Sequence, residues 1–425
     1  MDTDKLLELL HAQVVPAVGC TEPVSIAIAV ATAKNLVNGP IKNVLVQVSL
    51  SILKNGMRVG IPGTREKGIP FATALALVNG NPELGLEIFK DVDDQAVQQA
   101  QALLDAQIIH IETTKNANSF YVYVQIISDS DTAECIIESN HTNIVSIKKN
   151  GVELNGHGEA VSVSNTESAY EISSFDAIFD FAETVDPKLL KFLLEGVSMN
   201  LAIANAGKAT SYSSGLGPRL FKLMDQGSLP KDISNLIKAY TACASDARMG
   251  GLNYPVMSSS GSGNQGIAAI VPIAILGQHL NSTEDQIVTA LAISHLVTHY
   301  IKQKTGRLSP VCGCAVAAGI GAAAGMTWLQ GGRREEMLLA INNMVGSLAG
   351  MVCDGAKGGC SYKLATAVGE AYIQSLVVLD QTSVSQLDGI VGMNTEETVT
   401  NLGELCKTGM TNVDTTLVNI LNTYN

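Results

Sequence analysis

The sequence predicts an α+β protein, in which a large, mainly helical domain accompanies a smaller α+β domain with a mostly antiparallel sheet. Three observations point to this class. One segment alternates apolar and polar residues, short β-type runs cluster after it, and a helical pattern continues to the end of the chain. Because the strands follow one another instead of alternating with helices, this arrangement is favoured over a Rossmann fold.

With 425 residues, the chain is long enough for two or three domains. We expect N-terminal helices in residues 1–40, an α+β domain in residues 41–180 and a helical domain in residues 187–425. The N-terminal helices are expected to pack on the helical domain, so that the α+β domain is an insertion between two parts of one helical unit.

Alternating apolar residues predict a half-buried strand over residues 42–53. Lys54-Asn55-Gly56 and Pro62-Gly63-Thr64 follow it and are typical of turns, which we expect to face a site at the domain boundary. Asn150-Gly151 is typical of a hairpin turn. Further strands are predicted over residues 107–112, 119–127, 133–138 and 143–148.

Capping residues indicate where two of the helices begin. Ser282 with Asp285 predicts a capping box, and Ser309 before Pro310 predicts the start of another helix. The predicted helices span residues 23–37, 69–79, 83–106, 283–301, 310–329, 334–350, 361–379 and 394–407. The uncharged stretch 311–329 is rich in Ala and Gly, which favours a helix buried in protein over a membrane span.

Composition excludes several classes of function. The chain is 46% apolar and 16% charged, has a formal net charge of −13 and contains no long basic run. This balance argues against nucleic-acid binding and against docking on an anionic membrane. The N-terminal residues lack the pattern of a signal peptide, so we expect a cytoplasmic protein. Exposed apolar helices in a chain with so many apolar residues favour a homodimer.

Eight cysteines in a reducing compartment are better candidates for metal ligands or catalytic groups than for disulfides. Cys312 lies in the first turn of a predicted helix, and Cys353 and Cys360 bracket a glycine-rich loop. A helix N-terminus stabilises a thiolate, and three thiolates on a four-iron cluster leave one iron open to act as a Lewis acid. Cys314 competes with Cys312 as a ligand, and small buried residues in a packed bundle are the alternative.

Two further residues are candidates for acid–base chemistry. Cys20 immediately precedes a predicted helix with Thr21 as its cap, so its pKa is expected to be lowered, which suits a base, an acid or a nucleophile. His141 is a candidate base at the start of a strand. Each residue also fits a purely structural role.

A glycine-rich loop before an apolar helix offers N–H groups and hydroxyls to a carboxylate or phosphate. Arg248 is a second candidate for binding a carboxylate, with a structural ion pair to Asp246 as the alternative. His295 and His299 have a metal-compatible spacing but lack the glutamate of a zinc protease. The loop candidates for substrate binding are Ser260, Gly261, Ser262, Gly263, Asn264 and Gln265, joined by Asn55 from the first turn.

Several ordered motifs resemble the L-cysteine desulfidase family, which is related to the α domain of iron–sulfur L-serine dehydratases. The resemblance covers nearly the whole chain. The motifs are Gly19-Cys20-Thr21-Glu22-Pro23, Lys54-Asn55-Gly56, His141-Thr142-Asn143, Ser245-Asp-Ala-Arg248-Met-Gly-Gly251, Ser260-Gly-Ser-Gly-Asn-Gln-Gly266, Leu308-Ser-Pro-Val-Cys312 and Cys353-Asp-Gly-Ala with Cys360.

The resemblance implies an oxygen-sensitive [4Fe–4S] enzyme that converts L-cysteine and water to pyruvate, ammonia and hydrogen sulfide, or acts on L-serine. It implies that Cys312, Cys353 and Cys360 hold the cluster and that Cys20 is an acid/base or a fourth ligand. Cys314 is not part of the family pattern, so it ranks behind Cys312. We expect Cys20, or else His141, to remove the Cα proton.

Two other classes stay open from sequence. A non-catalytic iron–sulfur redox sensor would carry the cluster without forming pyruvate. A pyridoxal-phosphate lyase would use the glycine-rich loop for its phosphate and Lys208 or Lys357 for its Schiff base, although neither lysine has a familiar pyridoxal context.

Overall fold

The computed structural model describes residues 3–114, 120–154, 171–209 and 211–423. The α-helices are α1 (Thr3–Gln13), α2 (Thr21–Lys34), α3 (Leu50–Gly56), α4 (Gly68–Asn79), α5 (Asp94–Asp105), α6 (Phe175–Thr184), α7 (Leu193–Ala209), α8 (Leu216–Asp225), α9 (Ile233–Met249), α10 (Gly263–Leu280), α11 (Glu284–Thr305), α12 (Ile320–Leu329), α13 (Arg334–Leu348), α14 (Cys360–Val377), α15 (Thr395–Glu404) and α16 (Val413–Asn422). Short 3₁₀ helices span Pro82–Glu87, Pro187–Leu190 and Val378–Asp380, and π-helical turns span Cys314–Gly319 and Leu405–Gly409. The strands are β1 (Pro16–Val18), β2 (Ile41–Val48), β3 (Ile109–Thr113), β4 (Tyr121–Ser128), β5 (Thr132–Glu138), β6 (Ile144–Lys149), β7 (Val152–Glu153) and β8 (Pro255–Met257).

The larger sheet has six strands in the order β3-β2-β4-β5-β6-β7. The β2–β3 pair is parallel and the other neighbours are antiparallel, so the predicted α+β class with a mostly antiparallel sheet is confirmed. Strands β4 and β5 alternate strictly between buried and half-buried residues. Asn150 and Gly151 turn the chain between β6 and β7 with positive φ angles, as the hairpin prediction requires.

Helix α2 covers the buried face of this sheet, and its side chains join a core made with the sheet strands and α4. Helix α1 instead joins the core of the large helical region. The expectation that both N-terminal helices pack on the helical region is therefore wrong for α2. Nearly every residue of α2 is buried, so its sequence has no polar face that would have indicated its partner. The boundaries at 40, 180 and 187 remain a prediction.

The helical region packs closely because small residues lie at its helix contacts. A Cβ atom on Gly321 of α12 would lie 2.3 Å from the Ser294 carbonyl oxygen of α11, and one on Gly325 would lie 2.6 Å from the Ala290 carbonyl. The uncharged stretch that ends in α12 is thus buried against protein, as expected. By length and composition, Pro187–Ala209 is the one candidate for a membrane span among the described residues, and buried core helices also meet this criterion.

Several element boundaries differ from the sequence predictions. The strand predicted over 42–53 ends at Val48, and the supposed turn Lys54-Asn55-Gly56 lies on α3. The helix predicted over 83–106 is a 3₁₀ helix followed by α5. The capping box of α11 uses Thr283 with Gln286 instead of Ser282 with Asp285, because Gln286 reaches back to the Thr283 N–H.

Candidate active site

A cavity of about 90 Å³ brings together almost all of the residues singled out from the sequence. Among the candidate catalytic, substrate-binding and cluster-binding residues, Gly263 is the exception: it does not line the cavity but lies against the Arg248 guanidinium at the start of α10. The expected residues on the wall are Cys20, Asn55, His141, Arg248, Ser260, Gly261, Ser262, Asn264, Gln265, Cys312, Cys353 and Cys360, and Cys314 joins them. Residues from both the sheet and the helical region therefore meet at one point.

Two of the cysteines are held together by a short antiparallel bridge. Val311 pairs with Val352, the Cys312 N–H donates to the Met351 carbonyl, and the Cys353 N–H donates to the Pro310 carbonyl, each at 2.7 Å. This pairing holds Val311 in a β-bridge, so the helix starts at residue 313 and the predicted start at Ser309–Pro310 is wrong. Cys312 precedes the helix instead of lying in its first turn.

Four of the five cysteines at the cavity lie in the 312–314 and 353–360 segments, and the pKa values of their thiols differ. A hydrogen bond with Cys314 lowers the pKa of Cys312 to about 6, and the same contact raises the pKa of Cys314. Burial raises the pKa of Cys353 and raises that of Cys360 to about 12. Cys312 is therefore the thiol that most readily becomes a thiolate, with Cys314 as its hydrogen-bond partner.

These cysteines fit a cluster better than a single ion. No three His, Cys, Asp or Glu side chains within the described parts of the chain lie close enough to hold one metal ion. A four-iron cluster spreads its cysteine ligands around a larger body. Cys312, Cys353 and Cys360 all face the same cavity from two loops and the start of α14, and that arrangement suits a cluster with one iron left open.

Cys20 belongs to a buried network that the sequence analysis did not identify. It occupies the N-cap position of α2, where Thr21 was expected, and its thiol donates to Glu22 Oε2 at 2.9 Å. Asn55 Nδ2 on α3 donates to Glu22 Oε1 at 2.8 Å. Burial and the neighbouring Glu22 carboxylate raise the pKa of Cys20 well above its usual value. The predicted lowering of this pKa is therefore wrong, because the helix N-terminus is outweighed by burial and a like charge.

Glu22 itself stays ionised. Burial alone raises the pKa of Glu22, but the nearby His141 and the hydrogen bonds from Cys20 and Asn55 bring it below its usual value. A single acidic residue in the first turn of a mostly apolar helix was the signal in the sequence that could have identified Glu22.

His141 was predicted at the start of a strand. It lies in the turn between β5 and β6, before the first residue of β6, Ile144. Its ring packs edge-on against Phe120, and its Nδ1 lies 3.5 Å from the Arg307 guanidinium. Burial, with Arg307 adding to it, lowers the pKa of His141 to about 3, so the imidazole is neutral. Its Nε2 is buried without a hydrogen-bond partner.

Two cations at the cavity, Lys302 and Arg307, were not predicted from the sequence. Lys302 is buried at the end of α11, where its amine donates to the Arg307 carbonyl at 2.7 Å. Burial lowers the pKa of Lys302 to about 8. Charged side chains near a helix end are usually solvated, so nothing in the local sequence distinguishes these two.

Arg248 does not form the ion pair with Asp246 that was the alternative from sequence. Its guanidinium donates to the Gly19 carbonyl and to Asn264 Oδ1 at 3.1 Å. Asp246 accepts hydrogen bonds from the backbone of residues 212–215. Arg248 therefore ties the Cys20 loop to the start of α10.

The loop before α10 is held by the two histidines of α11. His295 Nδ1 lies 2.9 Å from Ser259 Oγ, and His299 Nδ1 lies 3.3 Å from Ser260 Oγ. These contacts replace the metal ligation that their spacing permitted. Ser260 has a positive φ of 46°, and this turn directs the loop into the cavity.

Known proteins are similar to this chain over most of its length. The pattern of the family described as serine dehydratase alpha chain matches residues 83–419. Three UPF0597 proteins are similar over almost the full length. The one from Caldanaerobacter subterraneus subsp. tengcongensis is 40% identical over 98% of this chain and 97% of its own. The one from Clostridioides difficile is 40% identical over 99% of both chains, and the one from Clostridium tetani is 38% identical over 98% of this chain and 97% of its own. The protein belongs to the serine dehydratase alpha chain family, whose scaffold is that of a lyase.

Proposed function

We propose that the protein catalyses the α,β-elimination of a small amino acid with the help of a [4Fe–4S] cluster, and that L-cysteine is its substrate. The observation that supports this most is the meeting of Cys312, Cys353 and Cys360 with the Cys20–Glu22 pair on one cavity wall. L-Serine is the alternative substrate, since the family pattern is that of a serine dehydratase chain.

Cys312, Cys353 and Cys360 would hold the cluster, with Cys314 as the hydrogen-bond partner of Cys312. When bound, the cluster supplies a Lewis acid that polarises the leaving group and the carboxylate.

The chain offers complementary groups to the amino-acid part of the substrate. The Arg307 guanidinium and the Lys302 amine line the cavity and would bind the carboxylate. Gln265 Oε1 is buried without a partner and would accept a hydrogen bond from the substrate ammonium. The substrate would thereby satisfy a polar atom that the protein leaves open.

The Cys20–Glu22 pair is the best candidate for removing the Cα proton. In the resting state the proton is on Cys20 and the charge is on Glu22. Cys20 Sγ would take the Cα proton as its own proton moves to Glu22 Oε2 across the 2.9 Å hydrogen bond. The neutral His141, whose Nε2 has no partner, is the second candidate.

The proposal is tested by anaerobic purification with iron and sulfide analysis, followed by a pyruvate and sulfide assay on L-cysteine and L-serine. We expect about four irons per chain, pyruvate from at least one substrate, and loss of activity in air. A colourless protein that stays inactive after anaerobic reconstitution would contradict the proposal. An intact cluster without pyruvate from either amino acid would favour the redox sensor.

A matched pair of variants assigns the ligands. Cys353→Ala should lose the cluster's absorbance, whereas Cys135→Ala, in strand β5 and away from the cavity wall, should keep it. Equal iron content in the two variants would overturn the ligand assignment.

The role of Cys20 has its own test. Cys20→Ser should keep the iron content and lose turnover if Cys20 moves a proton. Loss of iron from this variant would instead make Cys20 a ligand.

A further inference from the structure

A second cavity adjoins the candidate active site. Ser260, Lys302 and Arg307 line both cavities and form the wall between them. The second cavity has a volume of about 310 Å³, against about 90 Å³ for the first. Hydrogen sulfide or water leaving from cysteine or serine is a single heavy atom, so neither product needs this additional space.

The lining of the second cavity is polar and carries both signs of charge. Lys302 and Arg307 supply two cations on the shared wall, and Glu171 supplies a carboxylate. Gln13 and Gln303 add amide groups that donate and accept hydrogen bonds. This combination is complementary to a zwitterion, whose carboxylate would share the N–H donors of Arg307 with the substrate's own carboxylate and whose ammonium would face Glu171.

The two cations of the shared wall are held in place by the backbone around them. The Lys302 amine donates to the Arg307 carbonyl at 2.7 Å. A Cβ atom on Gly261, which has a φ of +79°, would lie only 2.5 Å from the Arg307 guanidinium. Arg307 also lies 3.5 Å from His141 Nδ1, on the active-site side. The guanidinium therefore spans the boundary and can contact groups in both cavities.

We propose that the second cavity binds the leaving group of the substrate, and that the substrates include amino acids whose β-sulfur carries a second α-amino-carboxylate group. The inference rests on the proposed elimination and specifies its substrate class. In the reaction, the Cα–H and Cβ–S bonds break, a Cα=Cβ bond forms, and the sulfur leaves with a proton as the thiol of the second amino acid. The aminoacrylate then takes up water and yields pyruvate and ammonia, so no oxidant or reductant is needed.

The test compares two thioethers in the reconstituted holoenzyme. L-Lanthionine carries a second amino-acid group on sulfur, whereas S-methyl-L-cysteine carries a methyl group. We expect kcat/KM for pyruvate formation to be about tenfold higher with L-lanthionine, because its second amino-acid group can pair with Arg307 and Glu171. L-Cysteine is assayed in parallel to establish that the enzyme eliminates at all.

A variant pair locates the second amino-acid group. Glu171→Gln should reduce the ratio of kcat/KM for L-lanthionine to kcat/KM for S-methyl-L-cysteine by about tenfold. Glu83→Gln, at an exposed position on the sheet side of the protein, should leave this ratio unchanged. An unchanged ratio in Glu171→Gln would overturn the assignment of this cavity. Turnover of L-cysteine without turnover of L-lanthionine would make the cavity an exit path and overturn the inference alone. Failure of every substrate would overturn the proposed elimination itself.

Discussion

Glu22→Gln isolates the charge that controls the Cys20 thiol. The substitution keeps the size of the side chain but removes the carboxylate that lies 2.9 Å from Cys20 Sγ. A hydrogen bond to a charged group contributes about 1.5–3 kcal/mol, which corresponds to roughly one to two pKa units. Because the Glu22 charge disfavours a thiolate beside it, the pKa of Cys20 should fall by about that amount. It should remain above its usual value, since burial is the larger cause of the shift.

The assay is the rate of Cys20 alkylation by iodoacetamide in the metal-free protein, followed by mass spectrometry of the peptide. Lowering the pKa by one to two units raises the thiolate fraction about 10- to 100-fold at a pH below both values. Part of this gain is lost because a less basic thiolate is a weaker nucleophile, so the net increase is about 3- to 13-fold. Glu83→Gln is the matched control. A rate that is unchanged or lower in Glu22→Gln would refute the hydrogen-bonded pair and, with it, the proton relay.

Three other predictions concern stability. Gly266→Ala should cost several kcal/mol or prevent folding, because its Cβ would lie 1.9 Å from a carbonyl oxygen of β8, whereas Gly350→Ala meets no atom within 4 Å and should be tolerated in thermal unfolding. Lys54→Met should cost about 1–3 kcal/mol in denaturant unfolding, since it leaves the partly buried Asp414 without its 2.6 Å ion pair, and adding Asp414→Asn should recover part of the loss. Acid should destabilise the fold through histidines that are buried and neutral. Burial lowers their folded pKa values to about 3, 3 and 4, for His141, His295 and His299. Below about pH 6.5 the unfolded chain takes up these protons and the folded chain does not. The free energy of unfolding therefore decreases as the pH is lowered, by about 6 kcal/mol in total between pH 7 and pH 5. Acid titrations of His295→Gln should show a shallower slope, and an unchanged slope would contradict the assignment.

The class of fold could be predicted because its signals are local. The alternation in β2, the Asn150-Gly151 turn and the long apolar helices each depend on residues close in the chain. The partner of α2 could not be predicted, because a helix that is apolar on all sides has no direction of burial. The helix start near Cys312 was misplaced for a related reason: its extended backbone is imposed by Val352, 41 positions away from Val311.

The candidate site was predictable in its cysteines and loops and not in its buried charges. Cys353 and Cys360 bracket glycines, a pattern that local sequence displays. Glu22 and Lys302 look like ordinary helix-end charges in the sequence, and only the packing of distant segments around them removes them from water. The same burial reversed the expected shift at Cys20, because desolvation and a neighbouring carboxylate outweigh the helix N-terminus.

The charges around the cysteines are themselves an argument for an anionic occupant. Burial alone would keep Cys353 and Cys360 protonated, and a merely structural group of thiols would need no compensation. Three lysines nevertheless interact with the Cys353 sulfur. Lys54 and Lys363 lower the pKa of Cys353, and Cys353 in turn raises the pKa of Lys302 against the larger effect of burial. Burying lysines is costly unless they meet negative charge. Lys54 and Lys363 have carboxylate partners in Asp414 and Asp354, whereas the amine of the buried Lys302 donates to the Arg307 carbonyl. The proposed cluster would supply negative charge beside Lys302, so the burial of this lysine is the feature that an anionic occupant would explain.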